Sequence, residues 1–151
     1  MLLSKLLTPQ RIRVPLNAAD KQGAMRALVE AAADGNDVSV EDLMQAVEER
    51  EAVLSTGIGH GVGLPHGRSG QIQQLLVSAG VLPAPIAYDS LDGQPVRLLF
   101  LLVGPESEAG LHVKALSRIT RIVRQPLVRE RLVAAVSGSD FHRILRDAEG
   151  L

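Results

Sequence analysis

The chain has 151 residues, a length that suits one domain, residues 1–151, with a sizeable buried core. Its formal net charge of −1 offers no general attraction to nucleic acid or to an anionic membrane. The absence of cysteine removes disulfides, thiolate metal sites and a cysteine nucleophile together, and fits a reducing compartment.

Nearly half of the residues are apolar, yet only Tyr88, Phe100 and Phe141 are aromatic, so Leu, Val, Ile and Ala must build the core. The N-terminal "MLLSKLLTPQRIRVPL" has short apolar pairs but no continuous hydrophobic stretch or small-residue cleavage site, which argues against a signal peptide. The most apolar run, Val96 to Val103, is interrupted by Arg97 and is too short to span a bilayer. A cytoplasmic protein with no direct membrane insertion is expected.

"RIRVPL" (Arg11 to Leu16) alternates charge with apolar bulk and reads as a strand with one wet face. From Asp20 the spacing becomes helical through Ala24, Ala27, Leu28 and Ala31, with Gly35 as the stop. Ser39 and Asp42 form a capping-box-like start for a second helix that buries Val40, Leu43, Met44 and Val47. Its acidic side, Glu41, Asp42, Glu48 and Glu49, reads as a solvated face.

After a glycine-rich stretch, "LLVSAGVL" (Leu75 to Leu82) and "VRLLFLLV" (Val96 to Val103) are apolar runs of strand length, suited to strands covered on both faces. The "PAPIAYDSLDGQP" between them reads as a loop or edge excursion. Three helices follow. The first carries the stripe Leu111, Ala115, Ile119, Ile122 and Val123. Pro126 opens the second, with Leu127, Leu132, Val133 and Val136 inward, and Phe141, Ile144 and Leu145 face in from the third. Arginines 118, 121, 124, 129 and 131 read as an outward, solvated face, or as a patch on which a partner docks. Strand, two helices, strands, then helices predict an α/β fold: a layered α/β/α domain with a mixed, mostly buried central sheet flanked by helices.

The stretch "STGIGHGVGLPHGR" (Ser55 to Arg68) is the least ordinary. It is not a dinucleotide fingerprint, because Leu64 and His66 stand where the last glycine belongs, and no Gly-Lys-Ser/Thr exists for a P-loop. What remains is backbone suited to close approach, with Pro65 limiting the play of the chain that leads to His66. A rigid histidine beside a bare, amide-rich surface could hold a phosphoryl group. A glycine-rich structural bend with a surface histidine would have the same composition.

"EEREAVLSTGIGHGVGLPHGR" resembles the active-site signature of the enzyme IIA domains of the fructose–mannitol class in the bacterial sugar phosphotransferase system, and of the standalone nitrogen-regulatory enzyme IIA proteins. The signature is an Arg-Glu pair, Ser-Thr-Gly-Ile-Gly, then Pro-His followed by a small residue and a base. The similarity continues through "APIAYDSLDGQPVRLLFLLVGP" and "LHVKALSRI" and covers nearly the whole chain.

The resemblance implies that His66 carries the phosphoryl group, on Nε2, and that Arg50 binds phosphoryl oxygens. It gives Ser55, Thr56 and Gly57 a place in phosphoryl binding and makes His112 the second histidine of the site. Plainer readings exist for each: a salt bridge from Arg50 to a neighbouring glutamate, a capped turn at Ser55 and Thr56, a packed His112. His60 is expected beside the site and His142 in solvent. Gly63 stands where many relatives carry alanine, which would loosen the approach to Pro65. No cofactor, nucleotide or metal is implied.

The implied donor is a histidine phosphocarrier protein, and the implied acceptor a IIB subunit or a regulatory target. Chain length, the segment "LLTPQRIRVPLNAADKQGAMRALVE" and the "DAEG" ending favour the nitrogen-regulatory type. The alternatives are a binding module of the same fold that is not phosphorylated, and a zinc site made of His60, His66 and His112.

Overall fold

The computed structural model describes residues 1–151. A short helix α1 (Leu3–Leu6) and a 3-10 turn at Pro9–Arg11 lead into β1 (Ile12–Arg13). The expected strand is cut to two residues because Pro15 has no N–H to give. The chain stays beside the sheet, however, and the Leu16 N–H donates to the Val81 carbonyl at 2.7 Å.

Helices α2 (Lys21–Ala33) and α3 (Val40–Val53) follow. Each starts where a side-chain oxygen takes an orphan amide: Asp20 accepts from the Gly23 N–H at 2.8 Å, and Ser39 from the Asp42 N–H at 3.2 Å. Such caps contribute about 1 kcal/mol apiece.

The glycine stretch folds into β2 (Gly57–Gly59), β3 (Val62–Gly63) and β4 (His66–Ser69). His60 and Gly61 make the two-residue turn between β2 and β3, both with positive φ, of 57° and 75°. That twist matches the twist of a hairpin, and Gly61 adopts it without steric cost. Strands β5 (Leu76–Ile86) and β6 (Val96–Pro105) then form the antiparallel centre of the sheet. β5 takes in "PAPI", so the expected edge excursion shrinks to the segment after Ile86.

The six-stranded sheet runs β1-β5-β6-β3-β2, and β4 follows β3 along the same side of β6. β1–β5, β3–β6 and β4–β6 are parallel and the other pairings antiparallel, so the sheet is mixed as predicted.

Alternation along β6 divides the core. Leu98, Phe100 and Leu102 pack towards the C-terminal helices, while Leu99, Leu101 and Val103 pack towards α2 and α3. The C-terminal layer is α4 (Ala109–Val123), α5 (Pro126–Val133) and α6 (Gly138–Ala148). Phe100 and Phe141 meet there with ring centroids 5.8 Å apart and tilted 50°. Such a pair contributes about 1 kcal/mol beyond its burial.

Three expectations for this layer change. Leu127 and Val136 are 75% and 83% exposed, and the inward face of α5 and the residues after it is Val128, Leu132, Val133 and Ala135. His142 is half-buried, its Nε2 2.8 Å from the Ser4 carbonyl. Arg118 is not merely solvated, since its Nε donates at 2.8 Å to Glu149, whose side chain is 1% exposed. Glu149 also accepts the Leu3 and Ser4 N–H groups at 2.7 and 2.8 Å, tying α1 to the end of α6.

Candidate functional site

β4 is an edge strand, and His66 and Arg68, two residues apart, share the face that looks towards α4. His66 lies opposite Leu102 in register, and Arg68 opposite Gly104. Gly67 points the other way, onto α3, where a β-carbon would lie 2.7 Å from the Ala46 carbonyl oxygen. That close approach brings the last turn of α3, with Arg50, to the sheet edge. One cleft of about 510 Å³ therefore receives side chains from both helical layers: Arg50 and Glu49 from α3, His66 and Arg68 from β4, and His112 and Val113 from α4.

The His66 ring is fixed by its own backbone. Nδ1 lies 2.8 Å from the Leu64 carbonyl oxygen. A carbonyl only accepts, so Nδ1 carries the proton and donates it there, and Nε2 keeps the lone pair. The glycine stretch thus offers the ring a backbone carbonyl that sets its tautomer. Burial of the ring pulls the His66 pKa below its ordinary value. The Leu64 hydrogen bond opposes this, the Arg50 charge reinforces it, and Glu51 opposes it. The outcome is a neutral imidazole at neutral pH, the form that can act as a nucleophile.

His112 is 6% exposed and stands in the first turn of α4, its ring centroid 5.8 Å from that of His66. Burial, then His66 and Arg68, push its pKa down to about 4. Its Nδ1 is buried without a hydrogen-bond partner against Gly104, where a β-carbon would come within 2.5 Å. Nε2 is the ring nitrogen left to serve the cleft. No side chain caps the N-terminus of α4, and Ala109 at its first position lines the cleft, so the positive end of the helix dipole favours an anion there.

Arg50 donates from Nη1 to the Leu54 carbonyl at 2.8 Å and pairs with neither neighbouring glutamate: Glu51 pairs with Lys21 at 2.7 Å, and Glu49 accepts from Gln45 at 3.1 Å. A neutral anchor leaves the guanidinium its full charge and its other N–H donors. Sequence reasoning left Arg68 out of the site. The signal was there, since a strand through His66 places residue 68 on the same face.

Ser55, Thr56 and Gly57 lie outside this cleft. Ser55 Oγ donates to the Tyr88 carbonyl at 3.3 Å and accepts the Gly57 N–H at 3.2 Å. Thr56 Oγ1 and the Tyr88 hydroxyl are 2.9 Å apart, and the Thr56 N–H donates to both oxygens of Glu51. Two of the alternate glycines, Gly57 and Gly63, leave room for side chains of the protein itself. A β-carbon on Gly57 would strike Ser90, and one on Gly63 would lie 3.0 Å from Leu99 and 3.1 Å from Tyr88. Gly63 therefore lets the approach to Pro65 pack closely instead of loosening it.

His60 lines a separate cavity with Ile58, Val62, Thr120 and Arg124. No three His, Asp or Glu side chains come together to hold a metal ion, so the zinc alternative has no ligand set. No helix is long and apolar enough to cross a membrane.

The sequence and the fold also match known proteins. A nitrogen regulatory protein of Escherichia coli (strain K12) is 33% identical over 149 residues, spanning 98% of this chain and 91% of that protein. A nitrogen regulatory protein of Bradyrhizobium diazoefficiens is 31% identical over 145 residues, spanning 96% and 95%. The solved structure of nitrogen regulatory protein IIA-Ntr from Neisseria meningitidis matches with a TM-score of 0.88 at 28% identity, covering 95% of this chain and 98% of that one. The family profile described as phosphoenolpyruvate-dependent sugar phosphotransferase system, EIIA 2, matches residues 5–148, and with two histidines and two arginines gathered at one sheet edge, the chain belongs to that family.

Proposed function

We propose that the protein is a phosphohistidine carrier in which His66 accepts a phosphoryl group on Nε2 from the phosphohistidine of a histidine phosphocarrier protein, within the cytoplasm. The observation that carries this reading is the Nδ1–Leu64 hydrogen bond of 2.8 Å, which commits the lone pair to Nε2. In the transfer that lone pair forms the new N–P bond, the donor's N–P bond breaks, and its electron pair returns to the donor imidazole. No net proton moves. Donor and acceptor are both imidazoles, so the exchange is nearly balanced, and the protein's task is alignment and charge neutralisation. Arg50, Arg68 and the Nε2 of His112 offer donors to the transferred oxygens, and the positive end of the α4 dipole faces them. Ser55, Thr56 and Gly57 serve by holding the loop that precedes β2.

The carrier acts in regulation. The nitrogen regulatory proteins match this chain along nearly their whole length, which favours a phosphoryl group held as a signal over one relayed at once to a IIB sugar-transport subunit. A dianion at the cleft would change which partner proteins dock there. Incubation with phosphorylated carrier should give acid-labile, alkali-stable phosphate on the wild-type protein and none on His66→Ala. An unlabelled wild type, or a labelled His66→Ala, would refute the assignment.

A further inference from the structure

Arg50 reaches the cleft from the last turn of α3, and the grip of its guanidinium is on Leu54, the first residue past that helix. Leu54 is itself exposed, so something else must hold its carbonyl in place. Glu51 follows Arg50 in the helix and so projects about 100° away from it, towards the interior. Its side chain is 7% exposed and takes the Thr56 N–H on both oxygens, at 3.0 and 3.1 Å. The same carboxylate receives Lys21 Nζ at 2.7 Å from α2. Lys21 Nζ sits 4.4 Å above the Tyr88 ring, and the Tyr88 hydroxyl meets Thr56 Oγ1 at 2.9 Å. The chain from Leu54 to Gly57 is thus bolted through Thr56 to two buried groups.

We propose that Glu51 is a positioning residue: it fixes the loop whose Leu54 carbonyl anchors Arg50, and so holds the Arg50 guanidinium at the His66 cleft. This rests on the phosphoryl-transfer reading of the site. In Glu51→Gln a single oxygen remains to accept, so the two-oxygen grip on the Thr56 amide and the charge that holds Lys21 are lost, and the Leu54 carbonyl gains freedom. Arg50 then spends less time where a phosphoryl oxygen would lie. An arginine anchored by a carboxylate would be neutralised, whereas this arrangement places the carboxylate one step back and leaves the guanidinium charge for the substrate.

A double-mutant cycle separates this from a merely structural role. Transfer from phosphorylated carrier is measured for wild type, Arg50→Ala, Glu51→Gln and the double variant, at saturating and at limiting donor. Glu51→Gln should lower the saturating rate about tenfold with the half-saturating donor concentration unchanged. In the Arg50→Ala background it should change the rate by less than about twofold, because the group it positions is gone. Equal slowing in both backgrounds, or no slowing in an active protein, overturns the proposal while leaving His66 as acceptor. A wild type that takes no phosphoryl group overturns both. If Glu51→Gln does not fold, Tyr88→Phe carries the same comparison. It removes the bolt at Thr56, and a slowing of about threefold is expected on wild type and none on Arg50→Ala.

Discussion

Replacing Gly67 with alanine puts the contact between β4 and α3 to a direct test. The added carbon would lie 2.7 Å from the Ala46 carbonyl oxygen, 2.8 Å from its carbon and 3.1 Å from the Val47 nitrogen. All three are backbone atoms of a helix, so no side chain can turn aside. Restoring ordinary contact at about 3.4 Å requires α3 and β4 to separate by about 0.7 Å. Alanine would recover about 0.5–1 kcal/mol of backbone entropy relative to glycine. Overpacking of this kind costs about 1–3 kcal/mol, and with backbone on both sides the upper part of that range applies. The net loss is about 2 kcal/mol, which for a chain of this length lowers Tm by about 4–8 °C. The same displacement moves Arg50 relative to His66 and should slow phosphoryl transfer about tenfold. Thermal unfolding followed by circular dichroism, together with the phosphate-transfer assay, reads both effects. A Gly67→Ala protein with unchanged Tm and unchanged rate would refute the claim that this glycine sets the width of the site.

Stability should fall as pH drops from about 6.5 towards about 4, because His112 is held at about 4 in the fold and the unfolded chain then binds more protons. Urea midpoints at pH 7 and pH 4.5 check this, and His112→Asn should flatten the difference. Arg68→Ala should slow transfer about tenfold by removing a charge-assisted contact, read in the same phosphate assay. Glu149→Ala leaves Arg118 and the Leu3 and Ser4 amides without their acceptor. The expected loss is about 2–3 kcal/mol, with Arg118 partly solvated, and faster amide exchange confined at first to α1 should accompany it.

Much of this was legible along the chain. Apolar runs of strand length fixed the sheet centre, because β5 and β6 are covered on both faces and need no polar alternation. Asp20 and Ser39 marked helix starts, since an orphan amide is satisfied by the nearest suitable side chain and that is a local matter. Arg50, His66 and His112, singled out along the chain through the resemblance, line one cleft. Other features could not be read there. Leu127 and Val136 have the apolarity of core residues, but which side of a short helix meets the core depends on where its neighbours lie. His142 found the Ser4 carbonyl from nearly the far end of the chain.

The glycine stretch shows the division most clearly. Its sequence determined that backbone must come close to something, that Pro65 must stiffen the approach, and that a histidine must stand at the end. Only the tertiary structure decided what comes close: Ser90 and Tyr88 over Gly57 and Gly63, and helix α3 over Gly67. A missing side chain specifies a space, and the identity of whatever fills that space is set by strands and helices distant in sequence. For the same reason Arg50 and His112, in opposite helical layers, meet at His66 only because β4 ends the sheet there.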